Sequence, residues 1–343
     1  TDGVSTVTNI SLTGLGVSQY YDTYTSINDP DLILAGAQDQ GYQRSDRANG
    51  NNTRDFEQLI SGDYGHISSG DGSHSIVYSV YPGFVLVQVG ELNPSLPGHL
   101  DFPPSEDHSW IPYTLANPDD NWEFYICATH LYKGRWNGGS NVTYTQSAQN
   151  FAVGGSSYLT AISISPANHD HRLAVTNIGR FWYSFDGGEN WADSGYSGPS
   201  AHYFYGTAIV HSYRDPLTAY VGGSGYSGSA VYKTEDGGIN WARMNLGLPP
   251  TLVYDLALES GDNEVLYAAT EAGPYRYDSS LGQWEYIGGT QAPITTYWSV
   301  ESVAADQLMR FGTYGRGIWD FDVTPPLTSV GNDTPVLSAL GLE

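Results

Sequence analysis

Four aspartates stand where paired acid chemistry would need them. Asp39 and Asp63 each sit in a glycine-flanked turn, Gln38-Asp39-Gln40-Gly41 and Gly62-Asp63-Tyr64-Gly65, while Asp22 and Asp255 follow aromatic residues at the start of apolar runs. Two carboxylates about 5 to 10 Å apart across a cleft are what glycoside hydrolysis requires. The plainer reading is that they satisfy turn amides or, at Asp39 and Asp63, coordinate a structural calcium ion. No other cofactor is implied. His169 and His171, in Asn168-His169-Asp170-His171-Arg172, have no cysteine or third clustered ligand beside them, so the sequence does not point to zinc. Tyr and Trp collect in expected loops as Tyr20-Tyr21, Tyr203-Phe204-Tyr205, Tyr297-Trp298 and Tyr314. Flat rings beside polar groups suit sugars, so Tyr314, Trp298, Tyr297, Gln38 and Arg316 are the candidate ligand-binding residues.

Such residues need a scaffold, and internal repetition identifies it. Ser184-Phe185-Asp186-Gly187-Gly188-Glu189-Asn190-Trp191 recurs as Thr234-Glu235-Asp236-Gly237-Gly238-Ile239-Asn240-Trp241 in the same register. Upstream of both copies lie an apolar strand, a polar turn, a second apolar strand and a glycine-rich turn into a third. Degenerate copies extend the pattern in both directions, giving seven units of about 40 to 50 residues, the length of a four-stranded propeller blade. The fold class expected is all-β: a β-propeller of four-stranded antiparallel blades, seven by this count, with six or eight as alternatives.

The last unit lacks a fourth strand, and Ser5 to Ser11 is expected to supply it, so that the N-terminal strand closes the ring. Residues 91–116, rich in proline, read as a long loop inserted in the second blade. The propeller domain is assigned to 1–323, and 324–343 to a C-terminal linker or tail. The start at Thr1-Asp2-Gly3 reads as a point where a signal or preceding domain has been removed.

At these residues the chain resembles the Asp-box, or BNR, repeat family, which includes sialidases, sortilin-like propellers and tandem-propeller xyloglucan hydrolases. Ala35-Gly36-Ala37-Gln38-Asp39-Gln40-Gly41 looks like the Gly-Thr-Gln-Asp-Asn-Gly turn, and Gly312-Thr313-Tyr314-Gly315-Arg316-Gly317-Ile318-Trp319 looks like the closing blade of secreted bacterial sortilin-like propellers. The resemblance implies that Asp186, Asp236, Trp191 and Trp241 are structural, the carboxylates holding their own hairpins and the tryptophans packing into the blade. It implies nothing specific about activity. A sialidase would need an arginine cluster, and Arg44, Arg47 and Arg54 in one loop, with Arg180 and Arg276 in outer-strand positions, match no such triad.

Composition narrows the partners. There are 37 Asp plus Glu against 13 Lys plus Arg, of which only Lys133 and Lys233 are lysines, for a formal charge of -24. A field of that sign repels phosphate backbones and anionic membranes, so neither nucleic acid nor membrane insertion is expected. The single cysteine, Cys127, lies in an apolar run and reads as a small core residue. Glycosylation sequons stand at Asn9, Asn51, Asn141 and Asn332. The leading expectation is an extracellular, non-catalytic binding or structural module for a glycan or protein partner. The alternatives are a secreted carbohydrate-active enzyme using paired carboxylates, and an assembly or anchoring subunit of a cell-surface complex.

Overall fold

The computed structural model describes residues 6–9, 18–48, 53–103, 106–153, 155–202, 206–259 and 264–323. The tail at 324–343, Tyr203-Phe204-Tyr205 and the sequons at Asn51 and Asn332 lie outside them.

The described residues form seven antiparallel sheets of four strands each, arranged as a seven-bladed β-propeller. Counting outward from the axis, blade 1 is Tyr20–Thr25, Ile33–Ala37, Gly41–Ser45 and Glu57–Ile60. Blade 2 is Gly65–Ser68, Ile76–Tyr81, Phe84–Val89 and Ser95–Asp101. Blade 3 is Thr114–Ala116, Glu123–Cys127, His130–Trp136 and Val142–Asn150. Blade 4 is Leu159–Ile164, Arg172–Thr176, Arg180–Ser184 and Ala192–Ser197. Blade 5 is Ala208–His211, Ala219–Gly222, Val231–Thr234 and Ala242–Arg243. Blade 6 is Val253–Leu258, Leu266–Thr270, Gly273–Asp278 and Gln283–Tyr286. Blade 7 is Tyr297–Val303, Leu308–Thr313 and Ile318–Asp322, completed by Val7–Asn9.

Burial follows radius. Second strands such as Ile33–Ala37, Leu266–Thr270 and Leu308–Thr313 are buried along their whole length, because blades pack on both their faces. Outermost strands such as Val142–Asn150 are largely exposed. Each of the seven junctions between neighbouring blades has its own apolar cluster, for example Tyr78, Val87, Phe124 and Ile126 between blades 2 and 3. Close packing near the axis leaves no room for side chains at some positions. A Cβ on Gly36 would lie 2.1 Å from the Tyr64 carbonyl oxygen of blade 2.

The ring closes as expected from the N-terminal segment: Val7 pairs with Phe321 and Thr8 with Asp320, antiparallel to the third strand of blade 7. Beside that seam Arg310, fully buried, grips Asp320 in a two-pronged ion pair at 2.8 and 2.9 Å and donates to Thr25 Oγ1 of blade 1 at 2.5 Å.

Residues 91–116 are not one inserted loop. Ser95–Asp101 is the outermost strand of blade 2 and Thr114–Ala116 the innermost of blade 3. Pro97 hides the former in sequence, but an edge strand tolerates a residue without an N–H. What remains is a connection that crosses the ring. Its Ile111 packs against Tyr21, Leu252, Tyr254 and Trp298 of blades 1, 6 and 7. Tyr113 meets the clusters of the junctions between blades 3 and 4 and blades 4 and 5, and its ring lies 4.7 Å from that of His66. Ile111 and Tyr113 thereby fill the upper channel with apolar side chains.

Candidate functional site

Antiparallel order puts the starts of the innermost strands and the turns between second and third strands at one end of the ring. The turns between third and fourth strands fall at the other. The Asp-Gly-Gly turns belong to that other end. Asp236 Oδ1 accepts from the Asn240 N–H at 2.8 Å and from Thr234 Oγ1 at 2.9 Å, while Oδ2 accepts from Asn240 Nδ2 at 2.7 Å. Asp186 is held the same way by Asn190 and Ser184. Hydrogen bonds from Asn190, backbone first, hold Asp186 below the usual carboxyl range. For Asp236 burial pushes upward, but the bonds from Asn240 and Thr234 outweigh it and the net shift is downward. Both glycines of each pair have positive φ, 71° and 84° at Gly187 and Gly188, which explains their identity. Trp241 is buried, donates to the Gly238 carbonyl at 2.9 Å and packs on Phe181; Trp191 packs on Phe151.

Asp22 and Asp255 lie on innermost strands in the channel wall, and each spans to the next blade. Asp22 accepts from its neighbour Thr23 N–H at 2.9 Å and from Ile67 N–H of blade 2 at 2.6 Å. Asp255 accepts from Leu256 N–H at 2.8 Å and from Val300 N–H of blade 7 at 2.9 Å. Glu301, which sequence reasoning missed, does likewise from blade 7 to the Thr25 N–H and hydroxyl of blade 1. Burial pushes the Asp255 carboxyl up to about 7. Asp22 is raised by burial and then by the charge of Asp255, and Glu301 by burial. A carboxylate with both oxygens engaged by neighbouring amides links blades; it is poorly placed to attack or protonate a substrate.

The mouth of the channel is different. A cavity of about 310 Å³ opens there, lined by aromatic residues from three adjacent blades. Its wall uses one structural device three times. The strand register shifts between Tyr20 and Asp22, between Val253 and Asp255, and between Tyr297 and Ser299, leaving Tyr21, Tyr254 and Trp298 outside the ladder. Bulges of this kind re-aim side chains and are common beside binding sites. The rings form a continuous arc: His202 to Tyr254 at 5.6 Å, Tyr254 to Trp298 at 5.2 Å, Trp298 to Tyr21 at 4.8 Å, with Tyr314 at 5.6 Å from Trp298. Trp110, carried by the connection that crosses the ring, adds a further indole, and Gln19, Gln38 and Thr296 supply neutral polar groups.

Of the candidate ligand-binding residues, Tyr314, Trp298 and Gln38 therefore meet at the cavity. Their exposures separate their parts. Trp298, held between Tyr254 and Tyr21, is only 5% exposed and forms wall, while Tyr314 is 50% and Trp110 41% exposed. Tyr297 does not line the cavity: its side chain is buried against Phe311 and Phe321, with its hydroxyl on the Pro293 carbonyl. Tyr297 stays in the ladder opposite Thr313, while the register shift beside it leaves Trp298 at the mouth, a difference the pair in sequence does not reveal. Arg316 is exposed but is not among the lining residues. Trp110, Tyr254 and His202 were missed, although Tyr254 repeats the aromatic-before-Asp pattern of Tyr21.

Asp39 and Asp63 stand at the rim, next to the lining residue Gln38. Asp63 Oδ1 accepts the Asp39 N–H at 3.1 Å, and Asp39 adopts a left-handed φ of 58°. One oxygen of the pair thus serves the turn, as the plainer reading anticipated. Among the described residues no group of three or more His, Cys, Asp or Glu is arranged to hold a metal ion, so calcium at Asp39 and Asp63 finds no third such ligand there. His169 and His171 diverge, to Asp119 at 2.6 Å and to the Pro216 carbonyl at 3.3 Å.

No family model matches the chain, and no curated relative matches its sequence. Solved structures do match. The GH74 xyloglucanase of Xanthomonas campestris superposes with a TM-score of 0.65 at 16% identity, over 90% of this chain and 44% of that one. YCF48 from Cyanidioschyzon merolae gives 0.63 at 15% identity, over 92% and 98%. The extracellular domain of BT4673 from B. thetaiotaomicron gives 0.65 at 16% identity, over 92% and 39%. The likeness is one of fold. The chain spans less than half the length of the xyloglucanase and of the BT4673 domain. No helix among the described residues is long and apolar enough to cross a membrane.

Proposed function

We propose that this propeller is a carbohydrate-binding module acting outside the cytoplasm, and that it holds a sugar ring in the aromatic cavity at the mouth of its channel. The observation that carries this reading is the arc Tyr254, Trp298 and Tyr21, which packs on the exposed Tyr314 and lines one cavity with the exposed Trp110 and with Gln19, Gln38 and Thr296. Aromatic faces take the C–H side of a sugar, and amides and hydroxyls take its O–H groups. No carboxylate is among the described residues that line the cavity, which favours binding over hydrolysis. The Asp-Gly-Gly turns support membership of the Asp-box propellers, with Asp186, Asp236, Trp191 and Trp241 as fasteners at the opposite end.

Titration calorimetry against a panel of neutral, acidic and amino oligosaccharides tests the reading. At least one should bind, and Trp110→Ala or Tyr314→Ala should weaken it by roughly tenfold, about 1.4 kcal/mol. Absence of binding across the panel, or binding indifferent to both substitutions, overturns it. Release of reducing ends, abolished by Asp39→Asn or Asp63→Asn, would establish the hydrolase alternative instead.

A further inference from the structure

We propose that the cavity selects a positively charged sugar, a ring bearing a protonated amine as in unacetylated glucosamine oligomers, an inference that rests on the carbohydrate reading above. The described lining residues include no lysine, arginine or carboxylate: six are aromatic rings including His202, and three are neutral polar side chains. A cation over Tyr or Trp faces is attracted by the ring quadrupole, more strongly where water is partly excluded. The rim adds formal charge of the right sign. Asp39 follows the lining residue Gln38 directly, and Asp63 Oδ1 accepts the Asp39 backbone N–H, which sets the two acidic residues side by side at the opening.

The charged and titratable groups around the opening agree in sign. Tyr21, in the wall, is raised above its ordinary value by burial and then by the charges of Asp63, Asp39 and the Tyr314 hydroxyl, so both carboxylates lie within electrostatic reach of a lining atom. Burial lowers His202, which disfavours the charged form of the one lining group that could oppose a cation. Arg316, two residues beyond Tyr314, is exposed and outside the lining, where solvent screens it. The net charge of -24 extends the same preference beyond the cavity, since it draws cations toward the surface and repels uronic or sialic acids.

Affinities for matched oligomers of glucosamine, N-acetylglucosamine, glucose and glucuronate, measured by calorimetry near pH 6 at low salt, decide the matter. The glucosamine oligomer should bind roughly tenfold or more tightly than its acetylated and neutral counterparts, and added sodium chloride should shrink that margin. The double variant Asp39→Asn with Asp63→Asn should erase the margin while leaving neutral-sugar affinity within about twofold, because an asparagine oxygen at 63 still accepts the Asp39 N–H. Equal affinity for charged and neutral oligomers, or a margin unchanged in the double variant, overturns the charge preference and leaves carbohydrate binding standing. Failure of all four oligomers overturns both.

Discussion

In the channel wall Asp22, Asp255 and Glu301 each reach to the next blade with both oxygens engaged, whereas at the mouth of the same blades Asp39 is exposed and Asp63 serves a single turn amide. The aromatics divide in the same way. Tyr297 is sealed into a junction between blades while its neighbour Trp298 walls the cavity. Residue type alone does not separate structural from functional groups here; what separates them is whether neighbouring blades have already supplied partners. Blades 6, 7 and 1 carry the clearest example, since the strands whose acids tie the ring together also project Tyr254, Trp298 and Tyr21 into the mouth.

That contrast can be broken at its strongest point first. Arg310→Met should cost about 3–5 kcal/mol in urea unfolding, because it leaves Asp320 buried without its partner, and should leave ligand affinity in the folded fraction unchanged. A loss below about 1 kcal/mol would show that the seam with Val7–Asn9 does not depend on this pair. Next comes pH. The folded protein holds the Asp255 proton up to about pH 7, far above an unfolded aspartate, so the stability it contributes is complete below the unfolded value and is lost as pH rises through about 7. Asp22 and Glu301 share that sign, while Asp186 and Asp236, lowered by their turns, have the opposite one and lose their contribution as pH falls. The stability of the parent minus that of Asp255→Asn should therefore grow by roughly 3 kcal/mol as pH falls from about 7 to about 4. A flat difference would remove Asp255 from the wall's titration.

Smaller effects sharpen the comparison from the other side. Asp236→Ala should cost about 1–2 kcal/mol, since three hydrogen bonds in a partly exposed turn are lost and the hairpin's amides turn to water. Tyr314→Ala should change stability by no more than about 0.5 kcal/mol while weakening sugar binding, because half its surface already faces solvent. Should Tyr314→Ala destabilise as strongly as Asp236→Ala, the mouth would be structural too.

The repeated Asp-Gly-Gly-X-Asn-Trp turns, the alternating apolar runs and the turn residues between them were legible before any coordinates. They specify local hairpins, and repeats of blade length pointed to a ring closed by the N-terminal segment, with seven blades by count and six or eight left open. Two features escaped. The outermost strand of blade 2 carries Pro97, which reads as loop until an edge position excuses it, and Thr114–Ala116 is too short to show periodicity. The site was legible only in part. Tyr314, Trp298 and Gln38 stood out by type and turn context, but Trp110 reaches the mouth along a connection from blade 2 that packs on blades 1, 6 and 7, and no local pattern encodes where such a connection ends. The same limit applies to the acids: sequence placed Asp22, Asp255, Asp39 and Asp63 near the axis, and only the contacts between blades decided which had amides within reach and which faced the opening. Sequence determined the blades because hydrogen bonding and burial within a hairpin are short-range; the site depended on tertiary structure because its walls belong to residues separated by most of the chain.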